Sequence, residues 1–105
     1  MAGTHLYIIQ MNITGDIKIG RSKHPEKRLK QLQTGCPHKL KLILVVEDMG
    51  WYETVLHRRM AFAAIRKNGE WFHESALTEL PTNLYEKLNL EDQNWWINER
   101  TNLHN

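Results

Sequence analysis

Residues 6 to 28 are LYIIQMNITGDIKIGRSKHPEKR, and they contain two short apolar runs separated by a turn signal. The first run, Leu6 to Met11, combines isoleucines with a tyrosine, which favours a β-strand. Thr14-Gly15, followed by Asp16, supplies turn chemistry with a residue that tolerates positive φ. Ile17 to Arg21 is then the returning strand, so the stretch predicts an antiparallel β-hairpin.

The length of the turn determines which side chains of the hairpin share a face. Side chains alternate with a period of two along a strand, so a shift of one residue reverses every side chain. An even-numbered loop such as Thr14-Gly15 puts Tyr7 and Lys18 on the same face, whereas an odd-numbered loop separates them. The residues alone leave both registers open.

A helix is expected after the hairpin, beginning at Pro25 and ending at Gly35. Proline is well tolerated in the first helical turn, where its missing N–H leaves no hydrogen bond unmade, and glycine is a common C-terminal stop. Arg28 falls on the inward stripe with Leu29 and Leu32. In the structural interpretation its alkyl stem covers apolar surface while its charged head reaches water.

Two further segments have clear apolar patterns. Leu40 to Val46 is a nearly continuous Leu/Ile/Val run, which predicts a central strand covered on both faces. Trp51 to Lys67 has helical periodicity. The inward stripe of this helix consists of Tyr52, Leu56, Met60, Ala63 and Ala64.

Glu53 lies close to the centre line of that stripe. A carboxylate in such a place must be paired, protonated or bound to a cation, because burying it alone is unfavourable. A salt bridge, for example to Arg28, is the structural alternative to a role in a functional site. His57 follows on the next turn of the same face, but the second histidine of the HExxH zinc motif is missing. The spacing therefore favours a structural or DNA-contacting histidine over a zinc ligand.

The C-terminal third combines aromatic residues with short helical patterns. Asn68-Gly69 predicts a turn, after which Trp71 and Phe72 close the core against the sheet. Pro81 interrupts a leucine pattern and predicts one or two short helices. We expect residues 1–90 to form one domain and residues 91–105, which contain Trp95-Trp96, to be a tail docked on it or in contact with a partner.

Composition and charge limit the class of protein. A chain of 105 residues with 41% hydrophobic residues predicts one compact domain. The net charge is +2, yet residues 18 to 41 hold eight Lys or Arg and one acid. This asymmetry suits a polyanion such as nucleic acid, and it is also found on ordinary solvated surfaces. Cys36 is the single cysteine, and the apolar run 42–46 is too short to span a bilayer, so we expect a cytoplasmic protein.

Taken in order, these residues resemble the GIY-YIG nuclease superfamily, specifically the phage-associated branch, similar to phage T5 orf-172, in which the second tripeptide is Lys-Ile-Gly. The resemblance covers residues 6 to 73. It implies an α+β fold, with a small three-stranded antiparallel sheet flanked by helices and an active site on one face of the sheet. The matching residues are Leu6-Tyr7-Ile8, Lys18-Ile19-Gly20, Arg28, Glu53 and Gly69-Glu70-Trp71-Phe72.

The resemblance also implies hydrolysis of a DNA phosphodiester bond with one divalent metal ion, Mg²⁺ or Mn²⁺. Glu53 would be the metal ligand, Tyr7 would help to activate the attacking water, and Lys18 with Arg28 would handle the phosphate. A hard cation held by one carboxylate would keep several waters and take the phosphate as a ligand. A free phenol has a pKa of about 10, so Tyr7 would need a neighbouring cation such as Lys18 to act as a base.

We therefore predict a DNA endonuclease or nickase of low intrinsic sequence specificity, a monomer or weak homodimer, in the cytoplasm of a bacterial or phage-infected cell and not at a membrane. The alternative is a non-catalytic nucleic-acid-binding module of the same fold, whose salt-sensitive binding does not depend on Glu53. The asparagine that completes the site in many relatives corresponds to Asn68 or Glu70. Candidate substrate-binding residues are Arg21, Lys23, Lys27, His38, His57 and Glu70.

Overall fold

The computed structural model of the chain describes residues 3–62, 66–68 and 71–88. The strands are β1 (His5–Met11), β2 (Ile17–Ser22), β3 (Leu40–Val46), β4 (Arg66–Asn68) and β5 (Trp71–Phe72). The helices are α1 (Pro25–Thr34), α2 (Tyr52–Phe62) and α3 (Thr82–Tyr85), with a 3₁₀ helix at Glu74–Glu79. The strands form one antiparallel sheet in the order β3-β1-β2-β5-β4. The predicted α+β fold is confirmed, and β4 and β5 extend the sheet beyond the three expected strands.

The hairpin of β1 and β2 has the register of an even-numbered loop. Tyr7 lies opposite Gly20, and Ile9 lies opposite Lys18. Residues directly opposite each other in an antiparallel pair share a face of the sheet. Tyr7 and Lys18 therefore point to the same side. In the turn, Gly15 has a φ of 77°, a conformation that suits glycine better than any other residue.

The helices α1 and α2 cover opposite faces of this hairpin, because side chains alternate along each strand. Tyr7 and Ile9 pack with Leu29 and Leu32 of α1, and we call this side the α1 face. The other side, the α2 face, is built from Leu6, Ile8, Ile17, Ile19, Leu56 and Met60.

The strand β3 lies at an edge of the described sheet, so the prediction of a central strand is wrong. Its register with β1 shifts between Ile8 and Ile9. A bulge places an extra residue, here Ile43, in one strand, so the alternation of its side chains relative to the partner strand shifts by one position. As a result Leu42 lies on the α1 face, Leu44 lies on the α2 face, and Val45 is 41% exposed. The continuous apolar run therefore comes from two alternating patterns joined at a bulge.

The first helix begins and ends where predicted, but Arg28 is exposed and does not lie on the inward stripe. Its Nη1 donates a hydrogen bond to Oε1 of Gln31 at 3.4 Å. Position 28 is at the border of the stripe formed by Leu29 and Leu32, where a long charged side chain can turn to water. The helix thus presents Arg28 on its outer surface.

The helices after β3 differ in part from the prediction. Within the described residues α2 spans Tyr52–Phe62 and Arg66–Asn68 form β4, so the predicted helix to Lys67 is too long. The short helices on either side of Pro81 are as predicted, and the leucines at positions 77, 80, 84 and 88 are buried.

Several predicted features lie outside the described residues: Ala63 and Ala64 of the stripe, Gly69 of the turn, Glu70, and the tail of residues 91–105. The division of the chain at residue 90 stays a prediction for the same reason. Within the described ranges, no helix is long and apolar enough to cross a membrane.

Candidate functional site

Glu53 lies in the first turn of α2 and is paired with a residue of β2. Its Oε2 lies 3.7 Å from Nε of Arg21, and its Oε1 lies 3.8 Å from Nε2 of His57. Arg21 therefore takes the place that the sequence suggested for Arg28. Both distances exceed that of a hydrogen bond, and 26% of the side chain is exposed. The carboxylate is held by charge and is still open to a further ligand.

His57 joins α2 to the strand that carries the Lys-Ile-Gly motif. Its Nε2 lies 2.8 Å from the carbonyl oxygen of Ile19. A carbonyl oxygen can only accept, so Nε2 must carry a proton. The ring also meets Phe72 edge to face, with 5.4 Å between the ring centroids. This hydrogen bond and ring contact position the imidazole.

The two contacts between α2 and β2 have matching spacings. Residues four apart on a helix are separated by about 6 Å along its axis. Residues two apart on a strand are separated by about 6.6 Å. Glu53 and His57 can therefore meet Arg21 and Ile19 at the same time when α2 runs antiparallel to β2. The helix is thereby aligned with the strand, and Glu53 is placed at the end of β2.

Tyr7 and Lys18 lie on the opposite face of the hairpin from Glu53. Tyr7 is 2% exposed, and its ring and hydroxyl cover Gly20 so closely that any Cβ at position 20 would overlap them. Lys18 is 7% exposed and is paired with Trp71 on β5. Among the described residues, no hydrogen bond or ion pair joins Glu53 to either of them.

Exposed cations surround the beginning of α1. Lys23, Lys27 and Arg28, all predicted from the sequence to meet substrate or phosphate, belong to this group. Lys23 and Lys27 line a concavity of about 700 Å³. His5, His24, Lys30 and Val45 line it as well, and the sequence had not singled out these four residues. The count of Lys and Arg in residues 18 to 41 included one of these, Lys30, but not His24. His5 and Val45 reach the concavity through strand pairing, which no local pattern reveals.

Of the two remaining predicted residues, only His38 is described, and it stands apart from these groups. The carbonyl of His38 accepts a hydrogen bond from Nε2 of Gln33 at 2.8 Å, and the N–H of Asn12 donates to the carbonyl of Lys39 at 2.9 Å. Asn12 belongs to the hairpin turn, so His38 lies at the turn end of the sheet, away from Arg21. Glu70 is not among the described residues.

Comparison with known proteins identifies one family. No curated protein and no solved structure shows significant similarity to the chain. The family model of the T5orf172 domain, a phage-associated domain, matches residues 4–91. This range includes every candidate site residue and most of the 105 residues. The chain therefore belongs to the T5orf172 domain family.

Proposed function

We propose that this protein is a metal-dependent DNA endonuclease or nickase in which Glu53 holds one Mg²⁺ or Mn²⁺ ion. Membership of the T5orf172 domain family supports a nucleic-acid-related function. The resemblance to GIY-YIG nucleases supports hydrolysis of the phosphodiester bond. The observation that carries the proposal is the position of Glu53, a half-buried carboxylate fixed beside the strand of the Lys-Ile-Gly motif.

The carboxylate of Glu53 is itself the type of donor that a hard divalent cation prefers, whereas its neighbours Arg21 and His57 present N–H groups to it. Carboxylate oxygen is a preferred ligand of Mg²⁺, which usually keeps several waters and uses substrate phosphate as well. In the described part of the chain, no three His, Cys, Asp or Glu side chains are grouped to hold a metal ion. Arg21 competes with a cation for the carboxylate, so we expect metal binding to be weak until DNA is present.

Arg21 and His57 would have different tasks in this site. The side chain of Arg21 is 55% exposed, and its guanidinium can bind a phosphate oxygen with the N–H groups that do not face Glu53. The Nε2–H of His57 donates a hydrogen bond to the carbonyl oxygen of Ile19, so His57 orients α2 and holds Glu53 at the strand. A bound metal ion would add charge stabilisation of the phosphorane-like transition state.

The roles proposed for Tyr7, Lys18 and Arg28 rest on the resemblance. The hydroxyl of Tyr7 approaches Gly20, the residue that precedes Arg21 on β2. This hydroxyl lies on the α1 face of β2, whereas Arg21, which is opposite Leu6, and its partner Glu53 lie on the α2 face. Arg28, exposed on α1, is accessible to a phosphate.

A non-catalytic nucleic-acid-binding module of the same fold is the second candidate. The observation that favours it is the separation of the predicted catalytic groups, since Tyr7 and Lys18 share a face that Glu53 does not. In this case the cations around α1 would bind nucleic acid, and the Arg21–Glu53 pair would stabilise the contact between α2 and β2.

Incubation with supercoiled plasmid and Mg²⁺ or Mn²⁺ tests the first proposal. We expect the wild-type protein and the Glu47→Gln control, which changes an exposed glutamate, to nick or linearise the plasmid. Glu53→Gln should lose this activity, because an amide is a weaker ligand for a hard cation than a carboxylate. Tyr7→Phe tests the role of the hydroxyl. Wild-type protein that binds DNA but does not cleave it with either metal supports the second candidate.

A further inference from the structure

A concave basic surface lies between the beginning of α1 and the edge of the sheet. Its volume is about 700 Å³, and we call it the basic groove. We propose that the basic groove binds the phosphate backbone of a nucleic acid, as a surface separate from Glu53. This inference rests on the proposed function in one respect, that the partner is a nucleic acid. It does not require catalysis. The groove is lined by His5, Lys23, His24, Lys27, Lys30 and Val45, with Pro25 and Glu26 beside them.

The lysines of the basic groove have little compensating charge. Among the described residues, no acidic side chain forms an ion pair with Lys23, Lys27 or Lys30. Glu26 is the one acid in the described lining of the groove. A concave surface lined by charges of one sign concentrates counter-ions of the other sign. This surface therefore attracts a polyanion.

Strand pairing places the basic groove on the α1 face. Val45 lies opposite Tyr7, and His5 is two residues before Tyr7 on β1, so both side chains point to the same side as Tyr7. The N–H of Asp48 donates a hydrogen bond to Nδ1 of His5 at 3.0 Å. In the neutral ring the proton is consequently on Nε2, which can donate to a phosphate oxygen.

A second concavity, of about 200 Å³, adjoins the basic groove. It shares His24 and Lys27 with the groove and adds Arg28, Ser22 and Gln31. The two concavities together form a path of cations that runs from Arg28 to Lys30. A phosphodiester chain carries a charge on every nucleotide and can contact such a path at several points, whereas one isolated phosphate can occupy a single point.

The test compares two variants that each remove two positive charges. Lys23→Gln/Lys30→Gln changes the basic groove, and Arg58→Gln/Lys87→Gln changes exposed cations elsewhere. Binding of a fluorescent DNA duplex is measured by anisotropy over a series of salt concentrations. We expect the groove variant to bind more weakly. The slope of the logarithm of its binding constant against the logarithm of the salt concentration should become less steep by about 0.9 for each phosphate that the variant no longer neutralises. The control should keep the wild-type slope.

Three results would overturn the inference. The first is an unchanged slope in Lys23→Gln/Lys30→Gln, and the second is an equal fall in both double variants, which would show an effect of net charge alone. The third result concerns competition for the labelled duplex. If a mononucleotide displaces it as effectively as unlabelled duplex does, at equal total phosphate concentration, the groove is a pocket for a single nucleotide.

The outcome is distinguishable from that of the proposed function. If no Glu53-dependent cleavage is found while the groove variant shows its lower slope, the endonuclease proposal fails and the basic groove stands. If Glu53-dependent cleavage is found and the groove variant binds as the wild type does, the basic groove fails alone.

Discussion

Nε2 of His57 lies 2.8 Å from the carbonyl oxygen of Ile19, and this hydrogen bond links the helix of Glu53 to the central residue of the Lys-Ile-Gly motif. The link fixes α2 along β2 at the same place where Arg21 meets Glu53 at 3.7 Å. An exposed ion pair adds little stability by itself. The position of Glu53 therefore depends more on His57 and on the buried packing of α2 than on Arg21.

Replacement of His57 by alanine is expected to lower the free energy of unfolding by about 1–3 kcal/mol, because it leaves the carbonyl of a buried residue, Ile19, without its partner. His57→Gln keeps an N–H donor and should recover part of this loss. Urea denaturation of both variants measures the effect. Equal destabilisation in the two variants would assign it to the packing against Phe72 and not to the hydrogen bond.

Gly20→Ala is expected to destabilise the protein by about 1–3 kcal/mol, since the added Cβ overlaps the ring of Tyr7 and the hairpin must shift. Gly35→Ala is the matched control, because a Cβ at position 35 meets nothing within 4 Å. Its effect should stay within about 0.5 kcal/mol. Thermal and urea unfolding of the two variants check the difference, and similar stabilities would contradict the close approach of Tyr7 to Gly20.

Leu56→Ala should lower the free energy of unfolding by about 2–5 kcal/mol, because Leu56 is 0% exposed in the core between α2 and the sheet. The neighbouring Val55 is 42% exposed, and Val55→Ala should change stability by about 0.5 kcal/mol or less. Urea denaturation of the two variants measures the difference. A comparable destabilisation in both would mean that α2 presents a different side to the sheet.

Arg21→Gln should strengthen binding of Mn²⁺ in the absence of DNA, because it removes a cation that lies 3.7 Å from the carboxylate of Glu53. At this separation and a water-like dielectric constant, the charge contributes about 1 kcal/mol, which corresponds to about a fivefold change in affinity.

Calorimetric titration of Mn²⁺ measures this change. Arg59→Gln is the control, since its guanidinium contacts the carbonyl of Glu79 and is remote in sequence from β2. Unchanged or weaker binding in Arg21→Gln would show that Arg21 does not compete with the metal for Glu53.

Much of the fold was predictable from local pattern. The hairpin, the start of α1 at Pro25 and the break at Pro81 depend on turn and cap residues whose preferences act within a few positions. The edge position of β3 and the exposed side chain of Arg28 were not predictable in this way. Both depend on which distant segments pack against β3 and α1, and the sequence of a short segment does not contain that information.

The sequence by itself determined which chemical groups the protein has: a tyrosine and a lysine at compatible positions of one hairpin, a glutamate on an apolar helix stripe, and a cluster of cations. The tertiary structure alone decided their partners. It paired Glu53 with Arg21 instead of Arg28, and it placed Val45 and His5 beside the cations of α1. The reason is physical, because strand register and the bulge in β3 determine which face each side chain occupies, and these arise from pairing between segments that are distant in sequence.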